Sequence, residues 1–176
     1  MAAKKMFFAG SGGQGILLMG QMVGSAAILE GKSTTFFPSY GPEMRGGTAN
    51  CTVIVSDKAI SSPLIFESDC VVAMTLPSLL KFEPTLKAGG ILFVNKSIIH
   101  QAPKRDDITV YEVPATDLAN ELGDQRVANM IMLGAFARMS EIVSPGIVEK
   151  VIRDTFGEKK AELVEMNITA YNYWKQ

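Results

Sequence analysis

Short apolar and β-branched runs recur along the first two thirds of the chain, each bounded by glycine, proline, serine or aspartate. Such runs are typical of strands covered on both faces of a sheet. They predict four buried strands, at residues 5–9, 33–37, 70–75 and 90–95. Residues 109–113 predict a last strand, and the β-rich residues 48–56 predict part of a hairpin at the sheet edge.

Longer segments of helical character lie between and after these strands. Residues 14–30 predict a helix that ends at Gly31, and residues 76–87 a shorter one that ends at Gly89, because glycine adopts the left-handed conformation just past a helix. The chain from Pro114 onward predicts four more helices, at residues 115–122, 127–142, 146–155 and 158–175. Alternating strands and helices favour parallel strands with right-handed crossovers. The expected fold is therefore α/β: an open, mostly parallel, Rossmann-like sheet flanked by helices, with a helical C-terminal region.

Composition limits the class of protein. The chain has 176 residues, 47% of them hydrophobic, which fits a single domain over residues 1–176. Its 17 basic and 18 acidic residues include no basic block, so nucleic-acid binding is not expected. The most apolar run, residues 16–29, is shorter than the ~20 residues that span a bilayer. With no secretory signal and no membrane segment, we expect a cytoplasmic protein.

Few side chains could hold a metal or act as nucleophiles. Two cysteines and one histidine cannot assemble a structural zinc site or an iron–sulfur cluster. Cys51 and Cys70 are expected to be buried small hydrophobes, and His100 has no evident catalytic partner. Asn129 is a polar residue on an otherwise apolar predicted helix, where it could bond a loop.

A glycine loop follows the first predicted strand and opens the first predicted helix. It is formed by Gly10, Ser11, Gly12, Gly13, Gln14 and Gly15, with a GxGxxG pattern. In this context the first glycine permits a tight turn, the second admits a ligand to the backbone, and the third lets helix and strand pack closely. Free N–H groups at the helix start also favour an anion.

Dinucleotide binding has a further requirement that this sequence does not meet. An acidic residue about 20 positions beyond the loop should hold the ribose hydroxyls. That position falls near Thr35, and the second predicted strand contains no carboxylate. Two interpretations of the glycine loop therefore remain: a turn used for packing, or a site for another ligand.

A second loop follows the second predicted strand and combines rigid backbone with polar groups. Its candidate binding or interface residues are Ser39, Tyr40, Gly41, Pro42, Glu43, Arg45, Gly46 and Gly47. In an open α/β sheet, ligands and partners sit at this end of the strands. Arg45 could make a charge-assisted contact to a carboxylate or phosphate, or bond Glu43 or a partner backbone. Tyr40 could stack on a ligand or fill a partner's pocket.

These two loops resemble those of the gamma subunit of the 2-oxoacid:ferredoxin (acceptor) oxidoreductases. The similarity rests on residues 8–15 and 39–47, with further likeness at residues 56–63 and 129–135. It extends from residue 6 to about residue 155. The amino-acid sequence of the second loop, carried on a short separate chain, is most like that of gamma subunits in the 2-oxoglutarate branch. Pyruvate, branched-chain and indolepyruvate versions stay open.

The resemblance implies a subunit of a thiamine-diphosphate enzyme that decarboxylates a 2-oxoacid oxidatively. That enzyme transfers the acyl group to coenzyme A and passes electrons through iron–sulfur clusters to ferredoxin or a similar acceptor. Thiamine diphosphate, magnesium and clusters belong mainly to companion alpha, beta and ferredoxin-like delta subunits. The chain alone is then expected to bind no cofactor and to supply no catalytic residue. The glycine loop is expected to form a backbone cradle that faces the catalytic interface, near the coenzyme A phosphates, and a turn used only for packing is the alternative. Whether the loop contacts coenzyme A, thiamine diphosphate or only a partner chain stays open.

Two alternatives remain at the level of sequence. One is a stand-alone Rossmann-type oxidoreductase that binds NAD(P) or flavin at the glycine loop. The other is a homodimeric ligand-binding module without chemistry of its own. The missing ribose carboxylate and the second loop weigh against both.

Overall fold

The computed structural model describes residues 2–40, 47–157 and 161–176, which form one mixed sheet with helices on both faces. The strands are β1 (Lys4–Ser11), β2 (Ser33–Tyr40), β3 (Thr48–Ser56), β4 (Ser68–Ala73), β5 (Leu86–Asn95) and β6 (Thr109–Val113). The α-helices are α1 (Ile16–Leu29), α2 (Leu76–Phe82), α3 (Ala115–Glu121), α4 (Ala128–Ser140), α5 (Pro145–Phe156) and α6 (Ala161–Tyr171). Short 3-10 turns, Glu83–Thr85 and Gln125–Val127, precede β5 and α4.

The sheet is mostly parallel. Within the described ranges it has six strands in the order β2-β3-β1-β4-β5-β6. Strand β3 runs antiparallel to both neighbours, and the pairs β1–β4, β4–β5 and β5–β6 are parallel. The expected α/β fold, with helices flanking the sheet and a helical C-terminal region, is confirmed.

The position of β3 corrects one prediction. The sequence places residues 48–56 at the sheet edge, but β3 lies inside, between β2 and β1. Its side chains are buried on both faces: Cys51 and Val53 belong to the cluster that includes α1, and Ile54 points to the opposite side and is also buried. The edge strand is β2, predicted to be buried, and its residues 37–40 are exposed.

The boundary between α2 and β5 is also different from the expectation. The helix predicted over residues 76–87 ends at Phe82, because Pro84 lacks the N–H that would continue it and forms a 3-10 turn instead. Gly89, predicted as a helix cap, lies within β5 with φ of 75°, beside a shift in register against β4. There it forms a local irregularity of the strand. Gly31 does end α1, with φ of 74° and its N–H bonded to the Ile28 carbonyl.

The sheet separates two apolar clusters. The larger one holds the side chains of α1 and α4 to α6, and at its centre Phe136 of α4 contacts the rings of Phe8 and Phe93, with centroid distances of 5.2 and 5.8 Å. The smaller one lies between α2 and the opposite face, around Phe7 and Phe82. Helix α4 packs on the sheet as its apolar sequence predicts, which brings its first residues to the carboxyl ends of the parallel strands.

The cysteines and the histidine, to which the sequence analysis assigns no functional role, are a further point of comparison. Cys51 and Cys70 are buried free thiols, as predicted, and burial raises the pKa of Cys51 to about 12 and the pKa of Cys70 further still. His100 is exposed. Over the described ranges, none of the helices is both long and apolar enough to cross a membrane.

Candidate functional site

The glycine loop and both ends of the second loop lie at the same edge of the sheet. Ser11, at the end of β1, pairs with Thr48 at the start of β3. Tyr40, at the end of β2, pairs with Ala49 on the other side of β3. Beyond the paired strands, the Gly12 N–H donates a 2.8 Å hydrogen bond to the Gly47 carbonyl. The intervening β3 thus brings the two loops together although about 30 residues separate them in sequence.

The glycine loop is held by its own hydrogen bonds. The Ser11 N–H donates to Gln14 Oε1 over 2.8 Å, and the Gln14 N–H donates to the Ser11 carbonyl over 3.2 Å. A Cβ on Gly10 would lie 2.5 Å from Gln14 Oε1 and 2.6 Å from Ile16 Cδ1. The first glycine therefore makes room for the Gln14 side chain and for the first residue of α1.

The last glycine of the motif has a different neighbour from the one expected. Gly15 has φ of 71°, and a Cβ there would lie 2.2 Å from Nδ2 of Asn129 in α4. Close packing of α1 on the strands is provided instead by Gly20, where a Cβ would lie 2.4 Å from Cys51 Sγ. Two features therefore favour glycine at position 15. Its backbone is left-handed, and Asn129 of α4 occupies the space where a Cβ would lie.

The start of α1 is open to a negative charge. No side chain caps this helix, and its first turn carries no acidic residue. The first N–H groups of a helix have no partner within it, and the helix dipole places partial positive charge there. Such N–H groups at the start of a helix favour a phosphate or carboxylate.

A cleft of about 490 Å³ lies between the glycine loop and the residues at the two ends of the second loop; we call it the loop cleft. It is lined by Ser11, Gly12, Gly13, Gly15, Ile16, Leu17, Leu18, Tyr40, Gly47, Thr48 and Ala49. Tyr40 stands at its border with 71% of its surface exposed. An aromatic ring left this exposed beside free backbone N–H groups can cover a ligand or enter a partner's surface.

A second cleft of about 270 Å³ lies on the other side of the glycine loop, at the carboxyl ends of the parallel strands. It is lined by Gly13, Gln14, Met74, Ile98, Thr116, Gln125, Arg126 and Ala128. The Arg126 side chain is 86% exposed and bonds Asp124, and this bond holds the pKa of the Asp124 carboxyl below its usual range. Asn95 Nδ2 donates to Thr116 Oγ1 over 3.0 Å. Sequence reasoning missed Thr116 and Arg126, because neither belongs to a motif and both reach the glycine loop only through the fold.

The sequence-predicted site residues are therefore mostly brought together. The loop cleft is lined by Ser11, Gly12, Gly13, Gly15, Tyr40 and Gly47. Gln14 lines the second cleft, and Gly10 lines neither of the two. Ser39 is exposed at the end of β2, where it pairs with Asn50. The predictions for Gly41, Pro42, Glu43, Arg45 and Gly46 fall outside the described residues. No group of three histidine, cysteine, aspartate or glutamate side chains suited to a metal occurs in the parts of the chain described.

Known proteins of similar sequence cover most of this chain. The family model described as pyruvate ferredoxin/flavodoxin oxidoreductase matches residues 5–173. The 2-oxoglutarate synthase subunit KorC of Methanothermobacter thermautotrophicus is 40% identical over 159 residues, which are 86% of this chain and 84% of KorC. The ketoisovalerate oxidoreductase subunit VorA of Methanothermobacter marburgensis is 37% identical over 91% of this chain, which spans only 33% of VorA.

Solved structures agree with these relatives. The gamma subunit of keto/oxoacid ferredoxin oxidoreductase from Geobacter sulfurreducens PCA has a TM-score of 0.80 at 30% identity, over 96% of this chain and 94% of that one. A chain of 2-oxoglutarate:ferredoxin oxidoreductase from Magnetococcus marinus, with 2-oxoglutarate, coenzyme A and succinyl-CoA bound, shares the fold with a TM-score of 0.90 at 23% identity. That match covers 98% of this chain but 30% of the Magnetococcus chain. Together with the loop geometry, these findings confirm the resemblance: the chain belongs to the pyruvate ferredoxin/flavodoxin oxidoreductase family, as a subunit of the gamma type.

Proposed function

We propose that this chain is the gamma subunit of a cytoplasmic 2-oxoacid:ferredoxin oxidoreductase complex with alpha, beta and ferredoxin-like delta partners. The complex decarboxylates a 2-oxoacid oxidatively, forms an acyl-CoA and passes the electrons to ferredoxin or a similar acceptor. The gamma chain shapes the catalytic interface through the glycine loop and the second loop.

The observation that carries this proposal is the hydrogen bond from Gly12 to Gly47. It ties the glycine loop to the end of the second loop, so that both can face one partner or one ligand. A single interface needs its contacting groups on one surface, and strand pairing at Ser11 and Tyr40 provides that arrangement. Had the loops lain at opposite ends of the sheet, they could not have served one interface.

Coenzyme A is the ligand we assign to the loop cleft. Its phosphates suit the uncapped start of α1, where N–H groups and the helix dipole favour negative charge. The cleft is also largely apolar, which suits the pantetheine arm. The Magnetococcus oxidoreductase of the same fold has coenzyme A and succinyl-CoA bound, which supports coenzyme A as a substrate of the complex.

The reacting cofactors belong to the partner chains in this proposal. Cys51 and Cys70 do not fit a cluster site, because both are enclosed in the core and burial raises the pKa of each thiol, which favours the protonated form. Thiamine diphosphate with magnesium supplies the decarboxylation chemistry, and iron–sulfur clusters carry the electrons. The residues of this chain bind and orient coenzyme A and hold the interface together, and none is assigned a catalytic step.

We propose 2-oxoglutarate as the substrate. The support is KorC, a 2-oxoglutarate synthase subunit that matches this chain over most of both lengths. Pyruvate and ketoisovalerate are the competing 2-oxoacids, since VorA is similarly close in sequence. Most substrate contacts are expected on other chains, so the comparison must be made with the assembled enzyme.

The test is reconstitution of the complex. We expect the chain to co-purify with alpha, beta and delta partners and the complex to reduce a viologen dye with coenzyme A and 2-oxoglutarate, faster than with pyruvate or ketoisovalerate. The isolated chain should show no turnover. Turnover by the pure chain, or micromolar binding of NADH or FAD to it, would instead support the stand-alone Rossmann oxidoreductase.

A further inference from the structure

Helix α1 is uncharged along its whole length. Its 14 residues include no lysine, arginine, aspartate or glutamate. The side that faces away from the sheet recurs every three or four residues and consists of Leu17, Leu18, Gln21, Ser25, Ile28 and Leu29; we call it the outer stripe. Leu17 and Leu18 are half-buried, whereas Ile28 and Leu29 are 62% and 52% exposed. Two large apolar side chains are therefore left in water side by side at the end of one helix.

The helices α5 and α6 show how this chain builds a helix that faces water. Both reach the surface, and their outward side chains are charged and paired. Lys150 Nζ lies 2.9 Å from Asp154 Oδ2, and Arg153 bonds Glu149 at 3.0 Å and Glu165 at 3.3 Å. A helix that faces water normally has such a polar side, whereas a helix that is mainly apolar all round is normally enclosed. The outer stripe therefore indicates that α1 lies between the sheet and a second apolar surface.

A groove of about 370 Å³ lies between the end of α1 and α5; we call it the helix groove. It is lined by Ser25, Ile28, Leu29, Val151, Asp154 and Thr155. Ile28 and Leu29 supply apolar contact area, and Asp154 is exposed and paired with Lys150. An apolar centre with a polar rim is the usual anatomy of a protein interface, and an apolar groove is a common seat for a helix of a partner.

The outer stripe connects the helix groove to the loop cleft. Leu17 and Leu18 line the loop cleft at the start of α1, and Ile28 and Leu29 line the helix groove at its end. A helix of this length is about 21 Å long and about 10 Å wide, so the stripe covers only about 200 Å². A stable interface buries roughly 800 Å² of each partner. The stripe is therefore too small to hold a second copy of this chain by itself, and it fits a partner that also contacts the loop cleft.

We propose that the outer stripe and the helix groove dock the companion subunit that also covers the loop cleft, and that this subunit places an apolar, uncharged helix against Ile28 and Leu29. This inference rests on the function proposed above, which supplies the companion subunit. It extends the interface from the two loops along the whole of α1. Covering Ile28 and Leu29 removes their apolar surface from water, and Gln21 and Ser25 provide hydrogen-bonding groups between the loop cleft and the helix groove.

The experiment is a competition for assembly. Wild-type chain and a variant are co-expressed with affinity-tagged alpha, beta and delta subunits, and mass spectrometry gives their ratio in the purified complex relative to the unbound fraction. Ile28→Lys puts a charge into the apolar contact, and we expect it to be at least about tenfold under-represented in the complex, as for the loss of an anchor at the centre of an interface. Ile28→Met keeps an apolar side chain and should be incorporated like wild type. The isolated Ile28→Lys chain should keep the wild-type melting temperature, because residue 28 is exposed and the end of a helix favours a cation.

Leu64→Lys is the matched control, because Leu64 is also 62% exposed but lies between β3 and β4. It should be incorporated like wild type. The inference is overturned if Ile28→Lys enters the complex as readily as wild type, or if Leu64→Lys is excluded to the same extent. It is also overturned if Ile28→Lys clearly lowers the melting temperature, since the side chain would then support the fold. Sedimentation velocity gives the remaining outcome: an isolated chain that is a dimer, and that Ile28→Lys dissociates, would mean that a second copy occupies the groove.

The same experiment separates this inference from the proposed function. A wild-type chain that joins none of the three subunits would refute the proposed function and this inference with it. A wild-type complex that assembles but oxidises no 2-oxoacid would refute the function alone, because assembly is measured without turnover.

Discussion

The Gly12 N–H donates a 2.8 Å hydrogen bond to the Gly47 carbonyl, and this bond joins two loops that the sequence separates by an entire helix and strand. It continues the antiparallel pairing of β1 and β3 beyond Ser11 and Thr48. The loop cleft follows from it, because the glycine loop forms one wall and the residues around Tyr40 and Gly47 form the other.

Gly15→Ala is expected to destabilise the chain. The substitution places a Cβ 2.2 Å from Asn129 Nδ2 and forces alanine into a backbone with φ of 71°. Left-handed backbone costs a non-glycine residue roughly 1–3 kcal/mol. Urea denaturation should show a loss of unfolding free energy of at least about that size.

Gly146→Ala is the matched control for Gly15, since nothing lies within 4 Å of a Cβ there and the residue is in the first turn of α5. It should be neutral or slightly stabilising, because alanine favours a helix by up to about 1 kcal/mol over glycine. Equal stability of the two variants would contradict the contact between Gly15 and α4.

Gly20→Ala and Gly24→Ala should have opposite effects, although both lie in α1. A Cβ at position 20 would lie 2.4 Å from Cys51 Sγ and 3.1 Å from Phe36 Cε2, whereas at position 24 the nearest atom, Thr34 Oγ1, is 3.6 Å away. Overpacking in a core costs roughly 1–3 kcal/mol, and the gain in helix propensity is about 1 kcal/mol. Thermal unfolding should therefore show a lower melting temperature for Gly20→Ala and an unchanged or higher one for Gly24→Ala. A stabilised Gly20→Ala chain would mean that α1 sits further from β3.

Glu30 should make the free energy of unfolding depend on pH. Its carboxylate accepts hydrogen bonds from Lys32 Nζ and from the Ser144 N–H, both over 2.6 Å, and joins the end of α1 to the start of α5. Burial by itself would raise the pKa of Glu30, but the bonds to Lys32 and Ser144 outweigh it, so the pKa lies below its ordinary value of 4.5. A carboxyl whose pKa is lower in the folded chain stabilises it above the unfolded pKa, and this stabilisation is lost as pH falls through the folded value.

Glu30→Gln should consequently cost roughly 1.5–3 kcal/mol at pH 7, the range for hydrogen bonds to a charged group. The difference from wild type should shrink as pH falls below the ordinary pKa of 4.5 and through the lower pKa that Glu30 has in the folded chain. Urea denaturation at pH 7 and pH 3 measures both values. The exposed Glu67→Gln, outside any helix or strand, is the control and should change neither. A difference that stayed constant with pH would show that the charge of Glu30 does not contribute.

Tyr40→Ala and Arg45→Ala should impair the complex rather than the isolated chain. Tyr40 is 71% exposed beside the loop cleft, so its removal should leave the melting temperature of the free chain within about 1–2 °C. Assembly or the KM for coenzyme A should change by roughly tenfold, as for an aromatic or arginine anchor at an interface. Pull-down of the partner subunits and dye-reduction kinetics measure the two effects. Tyr173→Ala removes another partly exposed tyrosine and should alter neither; normal assembly and KM in both loop variants would exclude the second loop from the interface.

The sequence was sufficient for the parts of the fold that depend on local signals. The glycine loop between β1 and α1, the end of α1 at Gly31 and the burial of α4 all follow from patterns a few residues long. The position of β3 does not, because strand order depends on pairing between distant segments. The burial of Val53 and Ile54 on opposite faces is consistent with an interior strand, but the same run of apolar residues would also suit an edge covered by a loop.

The candidate site, like the fold, could be predicted from the sequence only in part. Both loop motifs are visible in the sequence, and their shared position follows once β3 is placed between β1 and β2. The contact between Gly15 and Asn129 and the presence of Arg126 near the glycine loop have no local signal. They arise from how α4 packs across the sheet, which is a property of the whole core.

Because Tyr40 is paired to Ala49 and Gly47 is bonded to Gly12, the segment from residue 41 to residue 46 departs from and returns to anchored positions. Fixing both ends of a segment lowers the entropy that its residues lose on binding, since fewer conformations are open to a chain tied at two points. A substitution between the two anchors is therefore expected to change what the second loop contacts and to leave the pairing of β1, β2 and β3 intact.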